Sequence, residues 1–354
     1  MVTVDISLRR LALSSSLVLL STSALAQEIS ESESTSTDQP TSHETDDYNS
    51  NNGLIVRLFL NRTNLSLYLT GLQNGTKTRL EYFTATNSIV GVAAKIGSYS
   101  GSISRSMPNS SDISRTKGNT RLSDYRLGYM GVNHNIDLYH FSFKGFAYKN
   151  RDNTSSTSKN QNGKTNTNPS STYANGSPFI DDMEARSVGV NYTYVHSPQD
   201  FILAGKMTRT LYKESGVSML ANASVAAVNT ELSDGIIPLE YKSAFGDSGD
   251  VTTLGSFRAY AGPGFGGYIN MGDVDLSMAV FLNLGLRLDK TSESSQWKST
   301  IGGSMPSRLG VRLVQETFEV GIFGVFEMES NGDQRDINFG WYQSVIESYV
   351  SVFF

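Results

Sequence analysis

Residues 274–288 read VDLSMAVFLNLGLRL, and their apolar and polar positions alternate. Leu276, Met278, Val280, Leu282, Leu284, Leu286 and Leu288 share one parity. Ser277, Ala279, Asn283, Gly285 and Arg287 share the other, with Phe281 the bulky exception. A helix, with its period of 3.6, would scatter both sets around its circumference, whereas a strand separates them onto two faces. The stretch is also long. A usual strand has about 5–6 residues, while about 9–11 tilted residues cross the hydrocarbon of a membrane. A face of Leu, Met and Val over this length fits a strand meeting lipid; a very long sandwich strand is the alternative.

The same alternation recurs along the chain. Residues 54–61 and 65–72 predict two short strands that precede a barrel proper. Further strands are expected at 79–86, 88–96, 98–106, 121–132, 136–148, 186–196, 201–212, 216–231, 255–270, 309–314, 318–328 and 337–354. Within 136–148, Tyr139, Phe141, Phe143 and Ala147 take one face and His140, Ser142 and Lys144 the other. Turns at 271–273 and 315–317 are tight, whereas 107–120, 149–182, 233–253, 289–299 and 330–336 are long and polar. Short turns alternating with long loops are the habit of membrane barrels. Strict alternation fails once, because 197–200 and 213–215 both look tight around the expected strand 201–212. The pattern predicts an all-β fold, a transmembrane antiparallel β-barrel of about twelve strands.

The N-terminus supports export. Arg9 and Arg10 precede a short apolar core at 11–20, and Ala24-Leu25-Ala26 forms a small-residue cleavage site, so 1–26 reads as a signal peptide. No Cys occurs among the 354 residues, which removes disulfides and thiolate metal sites. Without Asp5, Arg9 and Arg10 the mature chain has 27 (29 − 2) basic and 33 (34 − 1) acidic residues, a net charge of −6. That balance offers no phosphate-neutralising face, so nucleic acid is not an expected partner. Residues 27–52 hold seven acids, no Lys or Arg, and many Ser and Thr. They lack the apolar surface to offset ordering and read as a disordered acidic periplasmic lead, with the barrel at 53–354. The chain ends Tyr349-Val350-Ser351-Val352-Phe353-Phe354. A last strand closing on an aromatic resembles the assembly signal of outer-membrane barrels, with Phe354 as its terminal residue. The expected location is the outer membrane of a Gram-negative bacterium, and the expected partners are its lipid and its barrel-assembly machinery.

Several stretches carry a family resemblance. Residues 88–106 (SIVGVAAKIGSYSGSISRS), 138–148 (LYHFSFKGFAY), 177–194 (SPFIDDMEARSVGVNYTY), 213–218 (KESGVS), the Ile237-Pro238 step and 260–285 stand in the order found in the domain of unknown function 4421 family. Gly145, Asp182-Met183 and Ser215-Gly216 with Ser218 are the most specific pieces. Ile180 departs from the positively charged or proline-bearing approach to the Asp. The resemblance covers about residue 54 onward and implies an outer-membrane barrel. It supplies no catalytic residues.

Candidate chemistry is sparse. Parity places Asp124, Arg126, His140, Lys144, Lys206, Arg287, Arg312, Glu319 and Glu327 inward, where they line a narrow lumen. Such a set makes a polar, porin-like channel or binder for small hydrophilic solutes, or a plug of mutually satisfied ion pairs. An enzyme of envelope lipid or polysaccharide is the competing class, motivated by His140 and by the rim pair Asp181-Asp182. No Ser motif of the nucleophile-elbow type and no His pair with metal spacing is present, so no catalytic residue, metal or cofactor is expected. The glycine run 262–267 lacks the G-x-G-x-x-G spacing of a nucleotide loop. Tyr148, Tyr194, Tyr212, Tyr260 and Phe326 are candidates for an interfacial aromatic girdle.

Overall fold

The computed structural model describes residues 53–73, 76–84, 88–107, 119–150, 179–198, 201, 203–208, 215–294, 296–331 and 337–354. The proposed signal peptide, the acidic lead and Tyr212 lie outside them. One antiparallel sheet closes on itself. Its strands are β1 (Leu54–Gln73), β2 (Thr76–Phe83), β3 (Ser88–Ile96), β4 (Tyr99–Ser106), β5 (Arg121–Met130), β6 (His134–Asn150) and β7 (Phe179–Val195). They continue with β8 (Gly216–Glu231), β9 (Thr253–Asn270), β10 (Val274–Phe281), β11 (Asn283–Thr291), β12 (Lys298–Val314), β13 (Phe318–Asn331) and β14 (Ile337–Phe353). Closure runs from Ile55 opposite Phe353 to Gly71 opposite Ile337, so no sheet edge is left along β1. The expected pair of short leading strands is therefore a single strand, and it is the strand that closes the barrel.

The barrel tapers. β1 pairs with β3 through residues 54–62 and with β2 through residues 66–73. β6 in turn pairs with β5 and, beyond Phe146, with β2. β10 and β11 form one strand interrupted at Leu282, both lying between β9 and β12. Counting them once, twelve strands surround the lumen at the end where β1 begins and β14 finishes, here the terminal end, and ten surround it at the other.

Residues 201–212 were expected to form a strand, but the described part of them, 201 and 203–208, has no strand pairing. Residues 196–215 are instead one long connection between β7 and β8, at the terminal end. With that strand removed, the alternation of sides is restored: 107–120, 151–178, 232–252, 292–297 and 332–336 all connect strands at the opposite end. The alternating Phe201, Leu203 and Lys206 mimic a strand because the segment lies inside the lumen, where both its faces find partners.

The outer surface is apolar. Leu58, Val92, Ile103, Leu127, Val188, Leu284 and Ile322 are exposed on β1, β3, β4, β5, β7, β11 and β13, with Leu284 72% exposed. Opposite them along β10 and β11, Asp275, Ser277, Ala279, Phe281, Asn283 and Arg287 are buried. An apolar belt of this extent in water would be an aggregation surface, whereas in lipid it is solvated. Near the terminal end the outward face carries aromatic contacts, Tyr99 with Tyr129 and His134 with Tyr192 and Tyr194, which is where an interfacial girdle belongs. Tyr148 and Tyr260, expected in that girdle, are instead buried inside the barrel.

The loop end of the lumen is filled with side chains. Leu65, Leu67, Leu69, Leu80, Tyr82, Phe141, Phe143, Phe146, Met183 and Trp341 converge from the inner faces of the strands. Residues 232–251, a turn followed by a 3-10 helix at Leu239–Asp250 that kinks at Gly246, dock on them through Ile236, Ile237, Phe245 and Val251. Tyr82 Oη donates to the Ile236 carbonyl and Tyr148 Oη to the Glu240 carboxylate. Gly71 is required here, since a Cβ on it would lie 2.8 Å from the Ala244 carbonyl oxygen.

Candidate functional site

Below this apolar plug the lumen holds a chamber of about 240 Å³. Strand alternation brings its walls together: β1, β5, β6, β9, β12, β13 and β14 each turn a charged side chain inward at this level. Arg126 forms a bidentate pair with Asp124, Nη2 to Oδ2 at 2.7 Å. Lys206 Nζ reaches both oxygens of Asp137 at 2.7 and 2.9 Å, and Arg308 Nη2 lies 4.0 Å from the same carboxylate. Arg258 pairs with Glu329, while Arg287, directly opposite Arg258 in the sheet, pairs with Asp289 at 2.7 Å and approaches Glu329 at 3.7 Å. Another wall is amide-lined: Asn283 Nδ2 donates to Asn222 Oδ1, and Asn222 Nδ2 to Asn191 Oδ1, each at 2.8 Å. The side chain of Arg126 is 45% exposed although it faces inward, so water reaches this chamber.

At the terminal end, residues 201 and 203–208 sit in the lumen as a latch. Gly205 carries a φ of +84°, a left-handed conformation that favours glycine, and a Cβ there would lie 2.9 Å from the Phe323 ring. Arg57 Nη1 donates to the Gly205 carbonyl at 2.8 Å and Arg312 Nη1 to the Thr208 carbonyl at 3.3 Å. These arginines are held in turn, Arg57 by Glu319 at 3.5 Å and Arg312 by Asp275 at 2.9 Å. Phe201 packs over Gly266, where a Cβ would meet its ring at 2.6 Å. The glycine run 262–267 thus makes room for aromatic side chains in the lumen. Pro263 stays in register opposite Ala221, and its carbonyl accepts from Leu282 N.

The nine candidate inward residues divide three ways. Asp124, Arg126, Lys206 and Glu327 line the chamber. Arg287, Arg312 and Glu319 are buried in the ion-pair networks beside it. His140 and Lys144 face outward, which corrects their inward assignment: His140 stacks on Tyr125 of the lipid-facing surface, and Lys144 approaches Asp182 at 3.6 Å. Alternation gives two faces without saying which is inside, and here the aromatic face of β6 is the one the apolar plug requires. Asp181 and Asp182 are exposed at the start of β7, successive residues of one strand, and do not join His140 in a site. Phe354 follows β14, exposed, its amide bonded to the Leu54 carbonyl.

Arg57, Asp137, Arg258, Arg308, Glu329 and Glu347 also line the chamber and were not singled out in the sequence. Arg308, Glu329 and Glu347 share parity with Arg312, Glu327 and Tyr349, so fuller strand boundaries reveal them. Arg57 lies in a stretch read as preceding the barrel, and Asp137 on the face of β6 read as outward.

No protein-family model matches this sequence, and no curated protein matches it. Among solved structures, the chain is similar to the outer membrane protease OmpT from Escherichia coli, at 8% identity over 89% of this chain and 99% of that one, with a TM-score of 0.39. It is similar also to the beta domain of the Bordetella autotransporter BrkA, at 11% identity over 85% and 99% of the chains and a TM-score of 0.31. The TodX monoaromatic hydrocarbon channel deltaS2 mutant has 9% identity over 85% and 90%, with a TM-score of 0.26. The likeness is one of general architecture and says nothing of activity.

Proposed function

We propose that this chain is an outer-membrane barrel that admits and binds small hydrophilic solutes in its lumen, and that the described conformation is its closed state. The observation that carries this reading is the charged chamber, large enough for a small solute and in contact with water. The latch at the terminal end closes it through a handful of polar contacts and small apolar patches, a construction suited to opening. Short turns mark the periplasmic side of such barrels, so the latch faces the periplasm and residues 232–251 face outward. Residues 1–26 fit export, and Phe354 fits recognition by the assembly machinery. The resemblance to the domain of unknown function 4421 family accords with this reading.

The apolar plug favours a second reading, a structural barrel with a permanently closed lumen. Planar-bilayer recordings of the refolded mature protein separate the two. The conduit reading expects rare openings of the whole chain and frequent discrete steps once residues 203–208 are replaced by Gly and Ser. A folded barrel that stays silent with the latch removed supports the structural reading.

A further inference from the structure

The chamber's charges do not all balance one another. Of the cations that line it, Arg126 is matched by Asp124, Lys206 by Asp137, Arg258 by Glu329, and Arg57 by Glu319 just outside. What remains is two carboxylates, Glu327 and Glu347, against the guanidinium of Arg308, which stands 4.0 Å from an Asp137 already held by Lys206. Among the described residues neither glutamate forms an ion pair. Glu347 is 9% exposed, with the Asn61 amide as a neutral partner. The nearest guanidinium groups, Arg57 and Arg126 for Glu347 and Arg258 and Arg308 for Glu327, act only at longer range, and all but Arg308 are held by other carboxylates. A carboxylate so withdrawn from water, with no cation in contact, is costly unless something else neutralises it.

The two glutamates occupy one strip of wall. On the inner faces of β13 and β14, Phe323 stands opposite Glu347, Val325 opposite Val345, and Glu327 opposite Gln343. Four residues of strand separate the two carboxylate rows, about 13 Å at 3.3 Å per residue. Between them the strip is apolar, and Tyr139 and Phe323 add ring faces to the chamber. Carboxylates at the ends of an apolar strip flanked by aromatic rings are complementary to ammonium groups on a short hydrocarbon chain.

We propose that the chamber is a binding site for a small organic ammonium ion, with Glu327 and Glu347 as its charge partners; this rests on the solute-binding reading above and names its ligand class. Anions are disfavoured because the cations lining the chamber, Arg308 apart, are already matched.

The test compares three probes of equal chain length on the refolded full mature chain by titration calorimetry: 1,4-diaminobutane, 1,4-butanediol and succinate. The diamine is expected to bind at least about tenfold more tightly than the diol, the value of roughly one charge-assisted contact, with no binding of succinate. The double substitution Glu327→Gln and Glu347→Gln should erase the preference for the diamine. Should that variant not refold, the comparison on the unaltered chain still decides. Equal or tighter binding of the diol or succinate overturns the ligand class and leaves the solute-binding reading standing. So does a lack of binding by all three in a chain that conducts once its latch is removed. No binding together with a silent latch-deleted barrel overturns both.

Discussion

The latch is held to the wall most directly by Lys206 and Asp137, and Lys206→Met tests whether that contact keeps the lumen shut. Methionine keeps much of the apolar stem and removes the ammonium. The pair is short, 2.7 Å, with side chains 14% and 27% exposed, so it is partly screened. Breaking a fully buried pair by removing one partner costs about 3–5 kcal/mol. Here Arg308, 4.0 Å from Asp137, takes over part of the stranded charge. The expected destabilisation of the closed state is therefore about 1–3 kcal/mol, or about 5- to 150-fold in the ratio of open to closed. Single-channel open probability at fixed voltage reads that ratio directly. Asp137→Asn should do more, because it leaves Lys206 facing Arg308 with no carboxylate between them. The double variant relieves that repulsion and should fall short of the sum of the single effects, the signature of two groups in contact. An open probability within twofold of the unaltered protein in Lys206→Met, with additive effects in the double variant, would refute the latch.

Three further outcomes follow from the same geometry. Gly205→Ala should raise open probability in the same direction as Lys206→Met, since a Cβ at φ +84° costs about 1–2 kcal/mol and meets the Phe323 ring. Ile237→Ala, at a residue 1% exposed in the apolar plug, should lower the stability of the folded barrel by about 2–5 kcal/mol in urea titration from vesicles; a loss under about 0.5 kcal/mol would mean that residues 232–251 do not dock. Leu284→Arg, on the outward face, should cost about 2–4 kcal/mol in lipid, whereas the same change in a water-soluble sandwich would be nearly neutral, so denaturation in vesicles distinguishes the two settings.

The alternation of residues along β10 and β11 was enough to say that they form strands with one face in lipid, because a strand's two faces are a local property of the chain. The bounds of β8 and the location of the long loops were legible for the same reason, as was the inward direction of Arg287 and Glu327. Alternation alone left three matters open. It did not say which face of β6 is inside, since Tyr139, Phe141 and Phe143 could equally have met lipid; the plug they build with Leu65, Leu80 and Met183 exists only once distant strands are adjacent. It did not distinguish residues 201–208 from a strand, because a segment enclosed by a lumen has the same mixture of buried apolar and paired polar side chains. Nor did it say which charges neutralise one another. Lys206 and Asp137 are 69 positions apart, and Arg258 and Glu329 are 71. Their pairing, and the two glutamates left without an ion pair, depend on the register in which the barrel closes, a sum over all its strand pairings that no single stretch of sequence contains.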